Sequence, residues 1–341
     1  MTVREQDQPD NHSKSAQLSN SQTSCAQAAH RPLGLWHVGV FFKGMAMGAA
    51  DVVPGVSGGT IAFITGIYTL LITSIQKCSH GGLLLLFRGR FREFWLHING
   101  TFLVVLAIGI LSSILILARA IHHLLETVPQ LLWGFFFGLI IASSFLLARH
   151  LPRRGVRELV ACMLGVVVAA AISFATPSVM TPAPLLIVGA GMVAICAMIL
   201  PGISGSFLLL LMGFYEVIIG AIKSLDVGIL ALFAGGCAIG LLAFSHVVAY
   251  FLTRFESITL ATLTGFMLGA LVKVWPWQHT TRWRVNSKGE SVPFTQEPVL
   301  PQSFADLTGE PSMTVGVLGC MLLGLALVAA FEIFSRQKAA P

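Results

Sequence analysis

Charge is what this chain has least of. Only 11% of its 341 residues are Asp, Glu, Lys or Arg, against about a quarter in a soluble domain. Tyrosine is scarce, with three residues, and the six cysteines form no C-x-x-C pair. There is no H-E-x-x-H either. These absences speak against a zinc site, a redox dithiol or a disulfide framework. No metal and no cofactor is expected. The first 30 residues are polar and hold no apolar core. We therefore expect no signal peptide there and read residues 1–30 as a disordered cytoplasmic tail.

What is present is apolar: 55% of the residues are hydrophobic. The apolar runs lack the period-2 alternation of a lipid-facing barrel strand and are long enough for helices. The expected fold is an all-α polytopic membrane protein. The runs fall at about 35–76, 100–118, 129–148, 159–176, 183–222, 227–252, 257–275 and 313–334. The first and fifth are too long for one helix, and Pro-Gly interrupts each.

The formal net charge of +6 reads as a topology signal, and nucleic acid is not an expected partner. The connection 77–99 carries Lys77, Arg88, Arg90 and Arg92, and 149–158 carries Arg149, Arg153, Arg154 and Arg157. Arg336 and Lys338 follow the last run. The positive-inside rule puts all three on the cytoplasmic side, so both termini are cytoplasmic. The uncharged 177–184 falls outside, as does 276–312, with three basic and four acidic residues. Segment 35–76 then enters from and returns to the cytoplasm, and segment 183–222 does the same from outside. Re-entrant hairpins and pairs of full helices both satisfy this pattern.

The two broken segments resemble each other. "VPGVSGGTIAFITGIY" (Val53–Tyr68) and "LPGISGSFLLLLMGFY" (Leu200–Tyr215) share P-G-x-S-G, seven residues, then G-x-Y. Three spans separate them, and an odd number inverts the second copy. The expectation is two inverted repeats, 31–176 and 177–336, each a Pro-Gly hairpin followed by three transmembrane helices.

Such breaks are tolerated in a membrane protein where protein or a water-filled cavity surrounds them. Pro54 and Pro201 are read as the breaks. Each restarted helix exposes unpaired N–H groups that suit an anion, phosphate above all. The expected phosphate-binding residues are Gly55, Ser57, Gly58, Gly59 and Thr60 in the first copy. Gly202, Ser204, Gly205 and Ser206 are their counterparts in the second. The plainer reading, that small residues pack helices closely, applies to either motif alone.

Intramembrane charges are the next candidates. Lys43 lies eight residues before Asp51, about two helical turns. The two form either an ion pair or part of a coupling device. Asp51 is matched by Met198 in the second copy, and Glu216 by Thr69 in the first. Such asymmetry suits coupling to protons or Na+. Lys273 and Arg254 are possible headgroup contacts. The tryptophans of Trp275-Pro-Trp277 read as an aromatic belt, and residues 80–98 as an amphipathic stretch on the cytoplasmic leaflet. His246 reads as a packed hydrogen-bonder.

"KGMAMGAADVVPGVSGGTIAFITGIY" (Lys43–Tyr68), the second motif and "LTGFMLGALVKVWPW" (Leu263–Trp277) resemble the three signatures of the polyprenyl-phosphate transporter family. The resemblance covers about residues 33–335. Thr69 and Ala270 depart from the family pattern, which has an acidic residue and a serine there. The resemblance implies an undecaprenyl-phosphate flippase, a transporter and not an enzyme. It would return the lipid carrier from the outer to the inner leaflet of the bacterial plasma membrane for peptidoglycan and envelope polymer synthesis. Two other readings stay open. One is a channel or ion-coupled carrier for a small anion. The other is an intramembrane serine protease, because G-x-S-G occurs in both motifs with His246 as a conceivable base.

Overall fold

The computed structural model describes residues 34–52, 57–149, 151–175, 183–285 and 291–339. The tail 1–30, Pro54, Gly55 and most of the connection 177–184 lie outside the described residues. The chain opens with α1 (Leu35–Val52), then the short α2 (Gly58–Ile64) and α3 (Tyr68–Lys77). Two small helices, α4 (His80–Phe87) and α5 (Phe91–His97), lead to α6 (Gly100–Thr127), α7 (Pro129–Arg149) and α8 (Val156–Phe174). The second half runs α9 (Pro184–Ile199), α10 (Gly205–Leu211), α11 (Tyr215–Ser224), α12 (Val227–Arg254) and α13 (Glu256–Ala270). It closes with strands β1 (Gln278–Val285) and β2 (Ser291–Pro298), then α14 (Pro301–Thr308) and α15 (Thr314–Ala339).

The helices follow the apolar runs closely. Among the described residues α6, α7, α8 and α12 are each long and apolar enough to cross a bilayer, and up to six spans result if each bent pair is one span. The exposed Leu111, Leu115, Leu164 and Val167 on α6 and α8 belong to the surface that lipid covers. The molecule is an all-helical polytopic membrane protein with a small β-ribbon attached.

The shared G-x-Y of the two motifs has a structural counterpart. α2 and α3 meet at 115°, and α10 meets α11 at 110°. The bends are Schellman motifs, which reuse the last carbonyls of a helix before the chain turns. Gly66 N donates to Phe63 O and Ile67 N to Ala62 O, both at 3.0 Å. Gly213 N donates to Leu210 O (3.0 Å) and Phe214 N to Leu209 O (2.9 Å). Gly66 (φ 72°) and Gly213 (φ 77°) take the left-handed conformation that the motif needs. Tyr68 and Tyr215 are the first residues of the helices that follow.

Packing also recurs between the halves. α1 packs along α6, and α9 along α12, within each half. Between halves, α8 packs along α13 and α7 along α15. Each pair is closed by a G-x-x-x-G: Gly44 and Gly48, Gly236 and Gly240, Gly265 and Gly269, Gly134 and Gly138. A Cβ on any of these would run into the partner helix, in most cases its backbone. Small residues at this spacing let helix backbones approach where apolar burial alone gives little reason to associate in lipid.

Two sequence expectations change here. Residues 276–312 read as an irregular external loop, but they hold an antiparallel ribbon with Gln278 opposite Pro298. Trp275 and Trp277 are not a lipid-facing belt. Trp277 is 3% exposed and packs with Phe304 and Val317. Its Nε1 donates to Ser312 O, and Trp275 Nε1 to Val299 O, both at 2.8 Å. The indoles fasten this segment onto the bundle. Residues 80–98 form two short helices with Phe87, Phe91 and Trp95 exposed beside the arginines.

Overpacking at a close approach costs roughly 1–3 kcal/mol. Gly265→Ala, whose methyl would meet the Cys162 carbonyl, should lower the thermal unfolding midpoint in detergent. Gly189→Ala, with open space beside it, should leave the midpoint unchanged or higher. Equal midpoints for the two variants would count against the close packing of α8 on α13.

Candidate functional site

The two P-G-x-S-G segments meet inside the bundle. α9 ends at Ile199, and Leu200-Pro201-Gly202-Ile203 turns with Ile203 N donating to Leu200 O (3.4 Å). Pro at the second place and Gly with positive φ (87°) at the third are the requirements of a type II turn. Ser204 then caps α10: its Oγ accepts from Phe207 N at 3.4 Å. Pro201 is fully buried. In the first copy Ser57 caps α2 by accepting from Gly59 N at 3.1 Å. Serine suits this place because its oxygen reaches an N–H that the helix cannot satisfy.

Two hydrogen bonds lock the copies together. Ser57 Oγ donates to Met198 O at 3.1 Å, with Leu200 O at 3.4 Å as the alternative acceptor. Gly202 N donates to Thr60 Oγ1 at 3.0 Å. Ser57 and Thr60 are almost fully buried. Thus the hydroxyls of the first motif satisfy the backbone of the second.

The two helix starts differ. At α2 all three leading N–H groups are taken: Gly58 by Asp51 Oδ1 (2.7 Å), Gly59 by Ser57 Oγ, Thr60 by Ser57 O (2.9 Å). Asp51 thus fills the place where an external anion was expected. At α10 the residue matching Asp51 is Met198, which offers no carboxylate. Among the described residues, the N–H groups of Gly205 and Ser206 have no protein partner. Ser204 and Ser206 share a hydroxyl–hydroxyl bond of 3.0 Å beside them.

A cavity of about 60 Å³ lies between the two starts, lined by Asp51, Ser57, Met198, Ser204, Gly205 and Ser206. That space holds water-sized occupants. Its lining is a carboxylate, three hydroxyls and the free donors of α10. Such a set offers hydrogen bonds to a tetrahedral oxyanion and holds an acid that can exchange a partner with it. The motif glycines serve protein packing in this state: a Cβ on Gly59 would meet the carbonyls of Met198 and Ile199, and one on Gly58 the Asp51 carboxylate.

The other candidates are spread out. Lys43 Nζ donates to Thr65 O (2.8 Å), a carbonyl at the end of α2, while Asp51 is held on Gly58. The two charges thus brace opposite ends of the same short helix. Glu216 lies in the first turn of α11. Arg254 is exposed in the last turn of α12, away from the cavity lining. Lys273 is half-buried, with its ammonium 4.8 Å from the centre of the Phe207 ring. It lines a second, smaller cavity that also touches Gly202 and Ser204. His246 bonds Ser79 Oγ through Nε2 (2.9 Å) and Leu242 O through Nδ1 (2.7 Å). Neither motif serine is its partner, so the Ser–His arrangement of a protease is not assembled. The asymmetry of Asp51 and Met198 was visible in the sequence. That both line one cavity was not, because their contact joins residues far apart in the chain.

Residues 47–292 match a family described as undecaprenyl phosphate translocase-like. A polyprenyl-phosphate transporter of Vibrio cholerae is 45% identical over 301 residues, which cover 88% of this chain and 98% of that protein. A polyprenyl-phosphate transporter of Staphylococcus aureus is 34% identical over 254 residues, 69% of this chain and 84% of that protein. No solved structure matches the chain.

Thr60 gives a test of the lock between motifs. Thr60→Val removes the acceptor of Gly202 N, and a buried donor left without a partner costs about 1–3 kcal/mol. Thr60→Ser keeps the oxygen. Denaturation in detergent should show the valine variant less stable than the serine variant; the reverse order would break the assignment.

Proposed function

This chain belongs to the undecaprenyl phosphate translocase-like family, and we propose on that basis that it is a polyprenyl-phosphate flippase. It carries the phosphate headgroup of undecaprenyl phosphate, or a similar lipid, through the bundle while the polyprenyl tail stays in the bilayer. The observation that carries this reading is the cavity where the two motifs face each other across Asp51, Ser57, Ser204 and Ser206. A phosphate monoester is a strongly hydrated anion on a long apolar chain. Its passage needs donors that replace water, and serine hydroxyls with backbone N–H groups supply them.

In the proposed cycle the headgroup enters at the α10 start, where Gly205 and Ser206 have free donors. Progress toward the α2 start requires the Asp51 carboxylate to leave Gly58 N or to take up a proton, since phosphate and carboxylate repel each other. That exchange is where a proton or Na+ would couple to transport. Lys43 and Glu216, at the end of α2 and the start of α11, are proposed to set the field around the moving elements. Alternating access follows if the two motifs are inverted repeats, each opening to one face. We assign the outer-to-inner direction, the bacterial plasma membrane, cytoplasmic termini and service to peptidoglycan and other envelope polymers to this same reading.

Reconstituted liposomes test it. Loss of labelled undecaprenyl phosphate from one leaflet should be faster with wild type than in empty liposomes. Ser204→Ala/Ser206→Ala, which leaves the Ser57 lock in place, should slow it by about tenfold or more, as expected when two hydroxyl contacts to a charged group are lost. Wild type that moves the lipid no faster than empty liposomes, with and without a pH gradient, would overturn the proposal. Uptake of inorganic phosphate in lipid-free assays would redirect it to small anions.

A further inference from the structure

Among the described residues Lys273 is the one ionisable side chain lining the smaller cavity beside the second motif, and its surroundings are incomplete. It follows α13 in a turn that ends against the ribbon, where Gln278 Nε2 fixes its carbonyl at 2.7 Å. The side chain runs back toward α10 and sets its ammonium over Phe207 at 4.8 Å. Among the described residues no carboxylate is recorded within ion-pair distance of it. An aromatic face is a weak substitute for a counter-ion once an ammonium has lost much of its water.

The cavity it lines has hydroxyls within it. Ser173 and Ser204 both contribute to the wall, with Gly202 and Phe207. Ser204 also lines the larger cavity that contains Asp51. The two cavities therefore meet at one serine, with a cation on one side and a carboxylate on the other. A phosphate in the Asp51 cavity faces a like charge. The Lys273 cavity has only about 10 Å³ of free space, so a phosphate enters it only as the side chain moves off Phe207, and it then faces an opposite charge with Ser204 in reach.

We propose that Lys273, with Ser204 and Ser173, forms the charge-recognising station for a phosphate group. On this reading the ammonium leaves Phe207 to pair with the phosphate, and Ser204 hands the phosphate on toward the Asp51 cavity. The inference rests on the flippase reading for the identity of the lipid. The local chemistry, an ammonium and hydroxyls around a phosphate, is common to a lipid headgroup and to free phosphate.

Binding by the purified full-length protein in detergent separates the cases. The probes are undecaprenyl phosphate, undecaprenol (the same chain without charge) and inorganic phosphate as competitor. Wild type should prefer the phosphate lipid over the alcohol. Lys273→Gln should lose about tenfold or more of the affinity for the phosphate lipid and none for the alcohol, and Lys273→Arg should restore most of it. Competition by inorganic phosphate that disappears in Lys273→Gln assigns the station to phosphate from either source. Its absence in wild type, with the lipid preference kept, assigns it to the lipid headgroup. Phe207→Leu removes only the aromatic resting place and should keep or raise the affinity, which holds the test open should Lys273→Gln fail to fold. Wild-type discrimination that survives intact in a folded Lys273→Gln protein, or a tenfold loss in Phe207→Leu, overturns the role of Lys273. A wild type that binds lipid and alcohol alike overturns the flippase reading instead.

Discussion

A non-helical backbone inside an apolar bundle must find partners for its N–H and C=O groups, and here the turn of the second motif finds part of them in the hydroxyls of the first. Ser57 Oγ reaches the carbonyl of Met198, and Thr60 Oγ1 receives Gly202 N. The first motif supplies hydroxyls, and the second supplies the turn whose backbone needs them. That dependence fixes the rest. The two bent helix pairs have to approach closely, so the framework helices around them are drawn together through G-x-x-x-G contacts. The Pro-Gly interruption, costly in an isolated helix, is tolerated because its partner is built into the other half of the chain.

The same lock divides the polar resources unevenly. Ser57 and Thr60 spend their hydroxyls on the second copy, and Asp51 closes the start of α2. Ser204 and Ser206 bond to one another and leave donors of α10 facing the cavity. A strict copy of the first motif, with an acid in place of Met198, would close both starts. Divergence at this one pair of positions turns a duplicated packing element into a site with one filled and one open end. A transported anion needs such a difference, since two identical filled ends would leave it nowhere to enter.

Much of this architecture was legible in the sequence. The apolar runs located every long helix, most of their ends within about five residues, although α6 runs on to Thr127 past the predicted end at 118. The G-x-Y spacing reads in the sequence only as part of the repeat, with the breaks placed at Pro54 and Pro201, yet it is where the chain bends at Gly66 and Gly213. The four G-x-x-x-G pairs were also present but were not singled out. What the sequence hid was partnership. Lys43 and Asp51 are two helical turns apart and look like a pair, yet α2 folds back between them and offers each a backbone partner at its own end: a free carbonyl for the cation, free N–H groups for the anion. The ribbon at 278–298 was hidden for a related reason. Its strands carry no apolar alternation that would separate them from a loop, and the tryptophans that hold the segment down resemble interfacial ones.

The position of Asp51 also constrains how any anion crosses. A carboxylate 2.7 Å from Gly58 N holds the charge that the α2 start favours. An arriving phosphate gains those donors only if the carboxylate gives them up, so in the proposed cycle the first motif opens by exchange. No such exchange is needed at the α10 start, where Met198 replaces the acid. An anion therefore meets the second motif as an open binding surface and the first as a competitive one. In the proposed cycle entry and exit would differ in kind even though the two motifs share P-G-x-S-G. The direction of the bias comes from a single residue pair, Asp51 and Met198, set into the wall of one cavity.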